Sequence, residues 1–108
     1  MLKKKERLTK KEFDRFFSIG KRLHSPAFTL IYTPRETFHG AVVVGKKVYK
    51  KAVDRNHLRR RLYNALYKEV KDTEATGVFV ILTKSGAIGL DFKELRQSIG
   101  SVLKTVLK

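Results

Sequence analysis

The residues of this chain that could do chemistry are mostly cations, and they are concentrated from Lys46 to Arg61, KKVYKKAVDRNHLRRR. This stretch holds eight of the chain's 25 Lys and Arg residues and one acidic residue, Asp54. Ammonium and guanidinium groups donate hydrogen bonds to phosphate, and a guanidinium can do so through two parallel N–H groups. The stretch therefore predicts a surface that binds a phosphate backbone.

Side chains that catalyse reactions or hold metals form no such pattern. His24, His39 and His57 are not spaced as metal ligands, and no carboxylates cluster near them. No pair of acidic residues stands out for general acid and base work, and no Ser or Thr lies in a motif typical of a nucleophile. We predict no catalytic residue, no metal site formed by the protein, and no cofactor bound by the protein alone.

The composition indicates one small domain with a polyanionic partner. The 108 residues are 42% hydrophobic, enough for a modest core, and carry a net charge of +15. Nucleic acid is the first candidate partner, and an anionic membrane surface is the second. Apolar runs such as Val78 to Leu82 are too short to span a bilayer, and the N-terminus lacks the apolar region of a signal peptide. We expect a soluble cytoplasmic protein, a single domain over residues 1–108 in which residues 1–7 form a flexible basic lead-in.

The first predicted helix is marked by a cap and by aromatic residues. Thr9 and Glu12 have the spacing of a capping box. Phe13, Phe16 and Phe17 follow at helical spacing, which places all three on nearly one side. They either pack in the core, or one or two of them face a groove in which unstacked bases can rest.

The other elements are predicted from apolar patterning. Strands are expected at Phe28 to Thr33, at Ala41 to Val44 and at Val78 to Thr83, and the last is uniformly apolar and therefore central. The basic stretch continues as a helix to about Lys71, and a capping box at Asp91 opens a closing helix. The fold class is α+β, a small sheet of three to four strands packed with three helices in the order α-β-β-(β)-α-β-α, with the optional strand not located.

The basic helix has two distinct faces. Its apolar residues recur at helical spacing and predict a buried face, Leu58, Leu62, Ala65 and Leu66. At 100° per residue, a polar set falls within an arc of about 140°, namely Arg55, Asn56, Arg59 and Arg60. Like charges four residues apart destabilise a helix by roughly 0.2 to 0.5 kcal/mol per pair, whereas a bound phosphate reverses that effect. This face is therefore predicted to be the centre of the binding surface.

These residues resemble the signature of a known family, the bacterial ribonuclease P protein subunit. The matching residues are Lys46-Lys47, Lys50-Lys51-Ala52 and Arg55-Asn56-His57-Leu58-Arg59-Arg60. The resemblance covers nearly the whole chain, including Arg7-Leu8, a first helix that ends at Gly20, and a strand that ends in Thr83-Lys84. His57 stands where the motif has its second arginine, which predicts a weaker contact near neutral pH.

The resemblance implies a fold similar to domain IV of elongation factor G and a subunit that binds a catalytic RNA and the 5′ leader of precursor tRNA. The RNA subunit and its magnesium ions would cleave the leader, and neither DNA nor a membrane is an expected partner. The implied RNA-binding residues are Lys46, Lys47, Lys50, Lys51, Arg55, Asn56, His57, Arg59 and Arg60. The implied leader cleft contains Phe13, Phe17, Lys84 and either Ile31 or Tyr32. The alternative is a structural ribosomal or other RNA-binding protein with no part in catalysis.

Overall fold

A computed structural model describes residues 6–106 as a four-stranded sheet with three helices. In chain order the elements are α1 (Lys10–Ile19), β1 (Lys21–His24), β2 (Phe28–Thr33), β3 (Phe38–Val43), α2 (Ala52–Thr73), β4 (Gly77–Thr83) and α3 (Phe92–Val106). The predicted α+β class is confirmed, and the order is α-β-β-β-α-β-α.

The strands are arranged in the sheet as β1-β2-β4-β3. β4 pairs antiparallel with β2 and parallel with β3, so β4 is a central strand, as its apolar run predicted. The parallel pair is joined through α2, because strands that run in the same direction need a long crossover connection. This connection fixes the basic helix against the sheet.

Side-chain alternation gives the sheet two different apolar faces. On one face, Leu30, Phe79 and Ile81 belong to the main core with residues of α2 and α3. On the other face, Ile31 and the β4 valines at 78 and 80 form a second cluster with Phe16 of α1. The helices α2 and α3 therefore lie on one side of the sheet, and α1 lies on the other.

The predicted capping box of α1 is confirmed. The Thr9 hydroxyl oxygen accepts a hydrogen bond from the Glu12 N–H at 3.2 Å, and the Glu12 carboxylate accepts one from the Thr9 N–H at 3.0 Å. The hydrogen bond from the Thr9 backbone N–H to the carboxylate, with a further contribution from the Thr9 hydroxyl, holds the pKa of Glu12 below its usual value. The capping box at the start of α3 is confirmed too, because Asp91 and Glu94 exchange the same pair of bonds.

Gly20 ends α1, as expected, and it brings this end of the helix against the sheet. A Cβ atom at position 20 would lie 2.3 Å from Cγ2 of Ile31 and 2.9 Å from the carbonyl oxygen of Phe16. A larger residue would therefore push the end of α1 away from β2.

Three boundaries differ from the prediction. β1 was not located in the sequence, since KRLH has no apolar alternation, yet it pairs with β2 through the turn at Ser25. β3 begins at Phe38, before the predicted Ala41, and α2 runs to Thr73, beyond the predicted end at about Lys71. The predicted flexible lead-in at residues 1–7 lies outside the described residues at 1–5, and at its end Arg7 forms a β-bridge with Gly40.

Candidate nucleic-acid interface

The exposed side of α2 brings three of the predicted RNA-binding residues together. Leu58 and Leu62 anchor the opposite side of the helix in the main core. Asn56, Arg59 and Arg60 are exposed, and Nη2 of Arg59 donates to Oδ1 of Asn56 at 2.6 Å. They line a pocket of about 190 Å³, here called the arginine pocket, with two residues that the sequence did not place in the RNA-binding set, Arg7 and Tyr63.

Arg55 was predicted to share this exposed face, but its side chain turns to the loop before α2. It is half-buried, and its Nη1 donates to the carbonyl oxygens of Tyr49 at 3.0 Å and of Lys50 at 2.7 Å. The guanidinium thus fixes the loop that leads into α2. Arg61 is tied in a similar way to the carbonyl oxygen of Leu90, which connects α2 to the segment before α3.

The four predicted lysines occupy the loop between β3 and α2 and are all exposed, Lys46, Lys47, Lys50 and Lys51. The loop starts beside Val43, whose side chain is on the α1 face of the sheet, since its register partner is Leu82. It ends at α2 on the other face. The lysines therefore form a cationic rim between the two faces. His57 is exposed in the first turns of α2 as well.

The second predicted surface lies beside α1, and it separates the roles of the three phenylalanines. Phe16 is buried in the sheet cluster, whereas Phe13 is half-buried and Phe17 is 37% exposed. The rings of Phe13 and Phe17 lie 5.9 Å apart between centroids. Leu82 packs on the same cluster. We give this predicted leader surface the name α1 cleft and count Phe13, Phe17, Leu82 and Arg22 as its members.

Arg22 of β1 belongs to the α1 cleft, and the sequence did not predict this residue as a member. Its guanidinium carbon lies 4.7 Å from the centroid of the Phe17 ring, and its Nη2 donates to the Phe17 carbonyl oxygen at 3.1 Å. The contact both satisfies a carbonyl near the end of α1 and places a cation on the exposed aromatic ring. Because β1 was not predicted, Arg22 had no predicted place in the sheet.

The structure places the other three predicted cleft residues outside the exposed surface of the cleft or in supporting positions. Tyr32 lies on the other face of the sheet, with its ring 5.1 Å from that of Phe79, so it is not in the α1 cleft. Ile31 is on the cleft face, but it is 1% exposed beneath α1 and so supports the cleft from below. Lys84 is half-buried, and its Nζ donates to the carbonyl oxygen of Ser25 at 3.0 Å, which ties it to the turn between β1 and β2.

Two acidic groups of α2 have a structural role. Arg96 of α3 bridges Glu69 at 2.9 Å and Asp72 at 2.6 Å, which joins α3 to α2. Among residues 6–106, no group of three or more His, Cys, Asp or Glu residues could hold a metal ion. The same part of the chain contains no helix that is long and apolar enough to cross a membrane.

These features define a small, strongly basic α+β protein with a cationic helix on one face of its sheet and an aromatic cleft on the other. The sequence matches the family described as Ribonuclease P over residues 2–107. The chain belongs to the ribonuclease P protein family.

Named relatives agree with this membership. The ribonuclease P protein component of a Nitratiruptor species is 37% identical over 98 residues, which cover 91% of this chain and 88% of the relative. That of Geotalea uraniireducens is 32% identical over 108 residues and covers 97% of this chain and 94% of the relative. Both relatives are named as protein components of ribonuclease P.

Solved structures confirm the fold. The Staphylococcus aureus RNase P protein superposes with a TM-score of 0.74 at 18% identity, and 94% of each chain is covered. A second S. aureus structure, of a mutant with defective mRNA degradation activity, gives a TM-score of 0.75 at 20% identity and covers 96% of this chain and 90% of that one. At these identities the likeness extends to the fold.

Proposed function

We propose that this chain binds the catalytic RNA of ribonuclease P through the exposed side of α2 and the 5′ leader of precursor tRNA through the α1 cleft. The observation that carries the proposal is the placement of the two surfaces on opposite faces of one sheet. Since the sheet separates them, the protein can contact two RNA segments at once. The resulting complex would mature the 5′ end of tRNA in the cytoplasm.

Binding to the RNA subunit is electrostatic in this account. Asn56, Arg59 and Arg60 contact phosphates, and the exposed lysines of the β3–α2 loop extend the contact. Each phosphate that a cation neutralises releases counterions, which favours association and makes it salt-dependent. Arg55 contributes by holding the loop in place. His57 adds a contact that is weaker than the arginine of the family motif.

Leader binding relies on aromatic stacking. An unpaired base can stack on the exposed ring of Phe17 or Phe13, and such stacking is worth about 1 to 3 kcal/mol per base. Arg22 lies on the Phe17 ring and is available to the adjacent phosphate. The leader is single-stranded, so its bases are free to reach these rings, whereas those of the tRNA stem are paired.

The cleavage step is assigned to the RNA subunit and its magnesium ions. Among the described residues, the histidines and carboxylates are not grouped for metal binding. His39 is 3.0 Å from the Thr37 hydroxyl, and Glu12 is engaged in the α1 cap, so these side chains serve the local structure. The protein instead adds positive charge, which lets two polyanions approach with less magnesium to screen their repulsion.

Replacing Phe17 by alanine tests the leader-binding part of the proposal. We expect the variant to assemble with the RNA subunit normally, because Phe17 is far from α2 in the fold. Its holoenzyme should bind precursor tRNA more weakly by about 1 to 3 kcal/mol, while mature tRNA, which has no leader, should bind as before. Affinities of both ligands would be measured at fixed salt and magnesium.

One control variant and two possible outcomes make this comparison decisive. Ile19→Ala removes another exposed apolar side chain of the same helix, 57% exposed, and should leave both affinities unchanged. Equal weakening of precursor and mature tRNA by Phe17→Ala would contradict a leader contact. If the Phe17→Ala holoenzyme binds both precursor and mature tRNA normally, Phe17 has no part in leader binding.

A structural ribosomal protein remains the alternative function. That function would explain the basic helix, but it would not explain the exposed aromatic residues on the opposite face of the sheet. Family membership over residues 2–107 favours ribonuclease P. The two functions are separated by whether the protein changes cleavage of precursor tRNA by a ribonuclease P RNA.

A further inference from the structure

Arg7 reaches the basic helix from a distant part of the sequence. It forms a parallel β-bridge with Gly40 on β3, an outer strand of the sheet. From there its guanidinium carbon lies 5.9 Å from the centroid of the Tyr63 ring of α2. The segment before α1 and the exposed side of α2 therefore meet at the arginine pocket.

The lining of the arginine pocket is suited to an anion. Three of its five lining residues are arginines, and no carboxylate occurs among the described residues that line it. The Asn56 carbonyl oxygen accepts from Arg59, which orients the amide so that its NH₂ group can donate to a ligand. Like charges brought together repel one another within a screening length of about 8 to 10 Å, and a bound anion removes that repulsion.

The size of the pocket indicates which anion it takes. Its volume of about 190 Å³ is well below the roughly 300 to 1,000 Å³ of pockets that enclose small-molecule ligands. It can hold a phosphate group but cannot enclose a nucleotide, so the rest of a nucleic-acid ligand must lie outside. A phosphodiester of a nucleic acid has this form, and the guanidinium groups fit its two free oxygens.

We propose that the arginine pocket binds one phosphate of the ribonuclease P RNA, and that Arg7 supplies a contact from outside the basic helix. This inference rests on the proposed function, since it names one point of contact with the RNA subunit. Arg7 directly precedes Leu8, which packs on the cluster beneath α1. The bound phosphate thus connects the basic helix to the segment from which α1 begins.

Replacement of Arg7 by alanine and by lysine tests the contact. Arg7→Ala should lower affinity for the RNA subunit about tenfold, the loss typical of one charged hydrogen bond. It should also reduce the slope of log affinity against log salt, by at most the roughly 0.7 to 0.9 of one phosphate contact, since Arg59 and Arg60 still hold the same phosphate. Arg7→Lys keeps the charge and should keep the slope, while its affinity falls because the two-pronged contact is lost.

The matched control is Arg35→Ala. Arg35 lies over the Phe16 ring on the α1 side of the sheet, 5.2 Å from its centroid, and the variant should keep both the affinity and the slope. Combining Arg7→Ala with Arg59→Ala should lower affinity by less than the product of the two single effects, since both residues hold one phosphate. Thermal unfolding of each variant would show that the fold is retained.

The outcomes separate this inference from the proposed function. If Arg59→Ala reduces the salt slope and Arg7→Ala does not, the basic helix binds RNA but Arg7 has no part in it, and the inference is overturned. If the wild-type protein does not bind the RNA subunit at all, the proposed function itself is contradicted, and the inference falls with it. An Arg7→Ala effect equal to that of Arg35→Ala would also contradict the inference.

A free anion is the second possible source of the same chemistry. Inorganic phosphate is therefore tested alone, in place of chloride at equal ionic strength. We expect it to compete with RNA and to weaken wild-type binding more than binding by Arg7→Ala. If phosphate stabilises the wild type in an Arg7-dependent way while the two proteins bind RNA with the same slope, the pocket serves a free anion and the inference is wrong.

Discussion

Replacing Arg59 and Arg60 together by alanine is expected to lower affinity for the ribonuclease P RNA by roughly a hundredfold or more. Hydrogen bonds that involve charged groups contribute about 1.5 to 3 kcal/mol each, and two are lost. The slope of log affinity against log salt should fall by at least about 0.7 to 0.9, the value for the one phosphate of the arginine pocket. Both side chains are exposed, so the variant should remain folded.

A charge-matched double variant on α3 provides the control. Lys93→Ala with Lys104→Ala removes the same net charge from a groove on the α3 side, beside Glu69 and Arg96. We expect this variant to change the salt slope much less, because it weakens only the long-range attraction between the protein and RNA and removes no direct phosphate contact. Equal slopes for the two double variants would show that Arg59 and Arg60 make no specific phosphate contact.

Replacing Phe16 by alanine is expected to destabilise the folded protein by about 3 to 5 kcal/mol, the range for truncation of a buried phenylalanine. Phe16 is 8% exposed and is the residue of α1 buried in the cluster with Ile31 and two valines of β4. Without it, α1 loses its main attachment to the sheet. Unfolding in urea would measure the loss.

The neighbouring Phe17→Ala serves as the comparison for this measurement. Phe17 is 37% exposed, and its truncation should destabilise the protein by about 1 kcal/mol or less. If the two variants lose equal stability, the division between a core phenylalanine and a cleft phenylalanine is incorrect. A stable Phe16→Ala variant would show that α1 is held mainly by other contacts.

Features that depend on neighbours in the sequence could be predicted from it. The capping boxes at Thr9 and Asp91 need only a side chain three positions away, and both are present. The central position of β4 follows from its uniformly apolar run, which can be buried on both faces. The exposed side of α2 follows from helical spacing, so Asn56, Arg59 and Arg60 could be grouped correctly.

Features that depend on tertiary pairing could not be predicted. β1 is polar, and only its pairing with β2 defines it as a strand. The choice between Ile31 and Tyr32 required the register of β2, because both are large and a shift of one residue exchanges the two faces. The short loop before α2 gave no sign that Arg55 would bind its carbonyl groups.

The arginine pocket shows the same limit most clearly. Arg7 and Tyr63 are 56 positions apart, and a bridge between Arg7 and β3 brings them together. The sequence assigned Arg7 to a flexible lead-in, since three lysines precede it closely. Sequence resemblance could identify the family and the basic helix, but not a contact made by a residue from another segment.

The most direct test of the account is cleavage of precursor tRNA by a bacterial ribonuclease P RNA at low magnesium, with and without this protein. We predict that the RNA alone cleaves only at high magnesium, that the protein lowers the magnesium required, and that RNA-free protein cleaves neither precursor tRNA nor an mRNA. An unchanged magnesium requirement, or leader cleavage by the protein alone, would contradict the central claim that this chain assists an RNA catalyst.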